Sequence, residues 1–290
     1  MMKFLGWEKC SFSDYEACCE KFGYNAETSP HYIKFAMEQG AEPDFYAYTK
    51  KGVIEGAVCT DNGWLANDDK NPENSLKWMY FPRYSILLPF NKNVKCFLPF
   101  KTKSLSTECR QFYNSSFSLF SRRHVAISKD LSAFSAKTKA TRKKEIRKFM
   151  ADGGTFENVS TVGPDFLFET YFRLYAERRE HEVENDPVIR ALFHHCYNHF
   201  FGEIAFFDGK AVGIQLLLST SSKQGTFIDF LNIGYDMDLR KYSVGTMMMW
   251  RNLCLTAELP APVTYSYGMM SGEYKTRWCD PVSVGRSITF

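Results

Sequence analysis

The chain has 290 residues, of which 44% are hydrophobic, 16% aromatic and 24% charged, a composition suited to a soluble globular protein with a large core. Its 36 basic and 33 acidic side chains leave a formal charge of +3, too small a surplus to imply a nucleic-acid partner from the overall balance. Nine cysteines without a Cys-x-x-Cys pair favour free thiols in a reducing compartment, and no run of about 18 apolar residues is available to span a membrane. Glu8 and Asp14 interrupt the amino terminus before an apolar stretch long enough for a signal-peptide core, which argues against export by that route.

Residues 11–22 and 30–39 are expected to be helical, the first capped by Ser or Asp and the second closed by Gly40. A hairpin follows, with strands at 45–49 and 53–59 around the turn Lys50-Lys51-Gly52. Residues 67–73 are polar and contain a proline, which predicts a loop, while 84–90 and 94–100 are short apolar runs expected as strands despite Pro89 and Pro99. In the second half, helices are expected at 142–150, within 164–184 and at 187–201. A second hairpin then pairs 203–207 with 211–219 through Asp208-Gly209-Lys210, the strongest short hairpin signal in the chain. The order helix, helix, hairpin thus occurs twice. It predicts an α/β (α+β) protein of two related lobes, residues 1–130 and 131–290, with mixed sheets flanked by helices.

The most informative segment is 226–258, a strand over 226–233 that breaks at a turn at Gly234 and feeds through Arg240-Lys241-Tyr242-Ser243-Val244-Gly245-Thr246 into a helix. A glycine-containing turn at a helix start presents unpaired N–H groups to one point, which suits a phosphate or pyrophosphate, and Arg240 and Lys241 add positive charge. An ordinary β-to-α turn, capped by Ser243 or Thr246, is the simpler reading of the same residues. Asp229 lies on the preceding strand and alternates with Phe227, Leu231 and Ile233 onto one face. Burial there would raise its pKa and suit a general base, although a hydrogen-bonded structural aspartate fits the pattern equally well. Glu273 is a rival carboxylate, and Lys275 is a candidate to pair with an anionic substrate or a developing oxyanion.

Arg-x-x-x-x-Gly-Thr between strand and helix resembles the acyl-CoA pyrophosphate loop of the GNAT acyltransferases. Together with the segments at 141–149 and 171–179 and with Gly268-Met-Met-Ser-Gly-Glu-Tyr-Lys275, it resembles the FemAB-like and cellulose-biosynthesis-protein-like branch of that superfamily, in which tandem GNAT lobes are common. The resemblance implies acetyl-CoA or another acyl-CoA as donor, bound by residues 240–246, and marks Tyr274 with Lys275 as a carboxy-terminal signature pair. From Gly6-Trp7-Glu8-Lys9-Cys10 to Glu273-Tyr-Lys-Thr-Arg-Trp-Cys279, the chain also resembles the enterobacterial Mig family, named for macrophage-inducible genes. That resemblance implies a cytoplasmic protein associated with the inner membrane and linked to resistance against cationic antimicrobial peptides. It leaves open a catalyst, a non-catalytic adaptor or a transcriptional regulator.

Two further clusters invite ligands. Lys137, Lys139, Arg142, Lys143, Lys144, Arg147 and Lys148 make a basic helix with Ile146, Phe149 and Met150, able to meet anionic lipid or to be a solvated face of a packed helix. Aromatics are not interleaved with those charges, so nucleic acid ranks below lipid. His194, His195, Cys196 and His199, with His181, Glu182 and Glu184 upstream, lack a His-Glu-x-x-His motif and paired cysteines. They are expected as surface or packing residues, with no metal.

Overall fold

The computed structural model describes residues 5–66, 68, 71–72, 85–109, 112–114, 116–117, 124–179, 185–283 and 288–289. The expected loop at 67–73 and the residues His181, Glu182 and Glu184 fall largely or wholly outside them. The elements are β1 (Trp7–Lys9), α1 (Phe12–Phe22), α2 (Pro30–Glu38), β2 (Asp44–Lys50), β3 (Val53–Asp61), β4 (Trp64–Leu65), β5 (Cys96–Leu98), β6 (Phe112–Asn114), β7 (Ser116–Phe117) and β8 (His124–Ser128). They continue with α3 (Ala136–Ala151), β9 (Gly154–Asn158), α4 (Pro164–Arg179), α5 (Pro187–His195), β10 (Phe200–Phe201), β11 (Glu203–Phe207), β12 (Lys210–Ser222), β13 (Gly225–Tyr235), α6 (Val244–Ala257), β14 (Val263–Met269), β15 (Cys279–Ser283) and β16 (Ile288–Thr289). The chain divides into two compact units. The first comprises Met1–Ile127, Thr220–Phe227 and Ser266–Phe290; the second comprises Ser128–Ser219 and Ile228–Tyr265.

In the first unit, β1 to β4 form an antiparallel sheet in sequence order. Ser11 starts α1 through a reciprocal capping box with Asp14. The β2–β3 turn uses Lys51 at φ 51° and Gly52 at φ 78°, the doubly left-handed geometry that two-residue hairpins prefer. Trp7 anchors a core with Val58, Leu65, Ile86 and Phe90, and its indole N–H donates to the Phe97 carbonyl at 2.8 Å. β5 and β6 pair in parallel, so the unit contains both pairing senses.

Residues 84–90 were expected as a strand, but the described part, 85–90, makes only isolated bridges, Ile86 to Leu105 and Gly56 to Phe90. Side chains take the place of a partner strand. Thr28 Oγ1 donates to the Leu87 carbonyl at 2.7 Å, and the Leu87 N–H donates to Asn25 Oδ1 at 3.2 Å. With those groups satisfied locally, and with Pro89 lacking an N–H, no ladder is needed.

In the second unit, the sheet order is β9-β11-β12-β13-β14, with β10 pairing β12 off the path. The β11–β12 turn follows expectation, with Asp208 at φ 48° and Gly209 at φ 76°. α3 begins earlier than expected, because Ser135 caps it by accepting from the Thr138 N–H. α5 ends at His195 instead of running to 201. Phe200 and Phe201 leave the helix to pair with Leu218 and Leu217, and the Phe200 ring packs 4.9 Å from Phe193. β13 also runs through Gly234, where a turn was expected. A Cβ at Gly234 would sit 2.8 Å from Leu174 Cβ, so the glycine is there to admit α4. Mixed α/β architecture with helix-flanked sheets is therefore what the chain forms.

Candidate functional site

β13 ends at Tyr235, and the Asp236 N–H bonds back to the Val212 carbonyl at 2.9 Å, which anchors the start of the connecting loop. A 3-10 turn at Arg240–Tyr242 follows, and Ser243 then adopts a left-handed conformation, φ 53° and ψ 47°, immediately before α6. A non-glycine residue rarely takes that conformation, and its cost of about 1 kcal/mol or more must be met by the surroundings. Two inward side chains supply that support. Tyr242 is buried between Phe149 and Phe207 and donates its hydroxyl to Asp152 at 2.9 Å. Val244 is buried against Gly213, where a Cβ would come within 2.4 Å of Val244 Cγ1. Lys148 and the Tyr242 hydroxyl together hold the Asp152 carboxyl below the usual carboxylate range.

Of the seven residues assigned to the loop from sequence, Tyr242 and Val244 thus direct their side chains into the core. Arg240, Lys241 and Ser243 are exposed, and Gly245 and Thr246 are half-buried. Ser243 makes no side-chain cap bond, and the first amide of α6 to bond back is Met247, to the Ser243 carbonyl at 3.0 Å. The N–H groups of Val244, Gly245 and Thr246 precede it and are the orphan donors of a helix start, where the helix dipole adds partial positive charge. A Cβ on Gly245 would lie 2.9 Å from Tyr235 Cε1, so this glycine admits the tyrosine ring against the first turn. Arg178, from the last turn of α4, stands 5.3 Å from the centre of the same ring. Neither Tyr235 nor Arg178 stood out in the sequence, because their relation to the loop depends on the packing of α4 against β13.

Asp229 is half-buried on β13 and belongs, like the loop, to the second unit. Glu273, Tyr274 and Lys275 belong to the first, on a 3-10 turn at Glu273–Arg277. Glu273 and Tyr274 are exposed. Lys275 is buried, with its ammonium nitrogen donating to the Tyr267 and Met269 carbonyls at 2.6 Å each. Burial pulls its pKa below the ordinary lysine value. Two of its three proton donors are therefore committed to the chain end of β14.

His194 Nε2 lies 3.0 Å from Asp165 Oδ1 on the surface, whereas Cys196 is buried at the end of α5, its thiol pushed up to about 12. Among the described residues, no group of three His, Cys, Asp or Glu side chains is placed to hold a metal. Among them, too, no helix is long and apolar enough to cross a membrane.

The Mig-14 family model matches residues 32–287. No curated protein matches the sequence. Among solved structures, FemX is similar over 92% of this chain and 89% of its own, at 10% identity and a TM-score of 0.55. L-PGS from Bacillus licheniformis is similar over 94% and 79%, at 12% identity and a TM-score of 0.43. A tandem GNAT protein from the clavulanic acid biosynthesis pathway is similar over 97% and 99%, at 10% identity and a TM-score of 0.42. The likeness to FemX extends along nearly the whole chain and is a likeness of fold. The expected resemblance to the Mig family is thereby borne out by the family model, and the mixed α/β fold class by the likeness to FemX.

Proposed function

The chain belongs to the Mig-14 family, and from that premise and the likeness of its fold to FemX we propose that it transfers an acyl group from acyl-CoA to an amine of an envelope-related or peptide substrate. One observation carries this reading. The unpaired N–H groups of Val244, Gly245 and Thr246 lie beside exposed Arg240 and Lys241, behind a left-handed Ser243 fixed by buried neighbours. Such a cradle fits the pyrophosphate of the donor. The acceptor amine would attack the thioester carbonyl, a base would take its proton, and the CoA thiolate would leave and be protonated. Asp229, in the same unit as the loop, is assigned the base role. Neutralising a cationic peptide or altering the charge of an envelope component would contribute to peptide resistance.

Calorimetry with acetyl-CoA tests the donor. The wild type is expected to bind, and Gly245→Asp to lose tenfold or more in affinity, because its side chain meets the Tyr235 ring and brings negative charge to the anion site. The same contact with the Tyr235 ring is expected to lower the thermal midpoint somewhat, so the affinities are compared at a temperature where both proteins are folded. Absence of heat from both proteins removes the cofactor assignment.

A second reading, an adaptor docked on the inner leaflet, is favoured by α3. Lys137, Lys143, Lys144 and Arg147 are exposed there, with no carboxylate in salt-bridge range among the described residues, whereas Arg142 pairs with Glu145 and Lys148 with Asp152. Lys139 is only half-exposed. Flotation with vesicles containing phosphatidylglycerol should carry the wild type and lose the Lys143→Glu, Lys144→Glu double variant. Equal flotation of the two proteins would exclude α3 as the lipid contact.

A further inference from the structure

The second unit contains a cavity of about 690 Å³ between α4, α5 and the β11–β12 turn, a size common for small-molecule sites. Its residues play no part in the acyl-transfer reading. The wall brings Arg173, Arg190 and Lys210 together against one carboxylate, Glu169, beside Phe166 and Phe168.

The two arginines are held in place. Arg173 Nη2 donates to the Ala211 carbonyl at 2.8 Å, which sets its guanidinium beside the backbone of Lys210, and Nη1 pairs with Glu177 at 3.3 Å, which leaves Nε and the second Nη2 proton to a ligand. The Lys210 ammonium is 3.9 Å from Asp236, too long for a hydrogen bond, so its donors remain available. Arg190 stacks 4.4 Å from the centre of the buried Phe168 ring, while Nη1 is tied to Asp165 at 2.7 Å and to Glu169 at 3.2 Å. The opposite face of that guanidinium is a flat cationic shelf. Phe166 is stacked on Phe206, 6.0 Å apart at 15°, yet is itself 40% exposed.

A flat aromatic surface, a stacked guanidinium and two further cations call for a ligand that is planar and apolar at one end and anionic at the other. We infer that this cavity binds a mid-sized organic anion, its ring system on Phe166 and Arg190 and its carboxylate or phosphate between Arg173 and Lys210. The site is separate from the donor loop and stands whether or not the chain binds acyl-CoA.

The test uses the full chain, with 2-naphthoate and 1-naphthyl phosphate as probes and 2-naphthylmethylamine as the cationic counterpart, followed by calorimetry and saturation-transfer NMR. At least one anion should bind saturably and tenfold or more tighter than the amine, and the preferred anion distinguishes a carboxylate from a phosphate ligand. Lys210→Glu, on an exposed side chain, should weaken that binding about fivefold or more with unchanged circular dichroism, and Arg190→Gln should weaken it also. Gly245→Asp should leave it unaltered. No saturable binding of either anion, equal binding of the amine, indifference to Lys210→Glu or loss in Gly245→Asp would each overturn the inference.

Discussion

Gly213→Ala is expected to lower the unfolding free energy by about 1–3 kcal/mol, and Val244→Ala, destabilising on its own, to cost little more when added to it. The new methyl would lie 2.4 Å from Val244 Cγ1, well inside contact distance, and 3.5 Å from Met248 Cγ, which is ordinary packing. Alanine is the better strand former by about 0.5–1 kcal/mol, but a clash with a β-branched, fully packed side chain outweighs it. Val244→Ala alone should cost about 2 kcal/mol through lost burial. In the double variant the alanine methyl occupies space that the valine methyls vacate, so the two costs should fall short of their sum by about 1–2 kcal/mol. Denaturant titration of the four proteins reads the coupling directly. Additivity within about 0.5 kcal/mol would mean that α6 moves away as a body and that Val244 does not position the loop. Because Val244 is the first residue of α6, the Gly213→Ala single variant should also disturb the amide cradle, whereas a surface variant of equal stability should not.

What could be read from the chain beforehand depended on how local the cause was. The two hairpin turns were legible because Gly52, Asp208 and Gly209 are residue types that left-handed geometry favours. The start of α1 was legible because Ser11 and Asp14 satisfy each other within one turn. Residues 85–90 were not, since the groups that replace a partner strand come from Asn25 and Thr28, about sixty positions away. The same limit applied at the loop. Its position, its glycine and its basic pair were visible, but the inward direction of Tyr242 and Val244 depends on α3, β11 and Gly213. Gly234 resembled a turn residue because the sequence does not show that α4 presses on it. Arg178 and the cavity at Arg173, Arg190 and Lys210 were likewise invisible, each being assembled from separate elements.

Lys275→Met is expected to destabilise the chain by about 2–4 kcal/mol, and the gap from wild type is expected to widen as the pH rises. Methionine keeps most of the buried stem but leaves the Tyr267 and Met269 carbonyls without their donor, and each buried acceptor so orphaned costs about 1–3 kcal/mol. The wild type carries an offsetting penalty, the desolvation of an ammonium, which is why its pKa is depressed. The sign of the pH effect follows from proton counting. Between the depressed folded value and the ordinary lysine value, the unfolded chain binds more protons than the folded one, so wild-type stability gains with pH across that window. The gain is complete above the ordinary lysine value and is lost as the pH falls through the folded value. A neutral amine still has two N–H groups for the two carbonyls, so the contacts survive deprotonation. Methionine does not titrate, and the difference between the two proteins therefore isolates this one group from the other lysines. Urea titrations at a series of pH values from neutral to about that of free lysine provide the measurement. A gap that narrows with rising pH would show that the ammonium charge itself holds the end of β14, and Lys275 would then be a cation stabilised by carbonyl dipoles and not a buried amine donor.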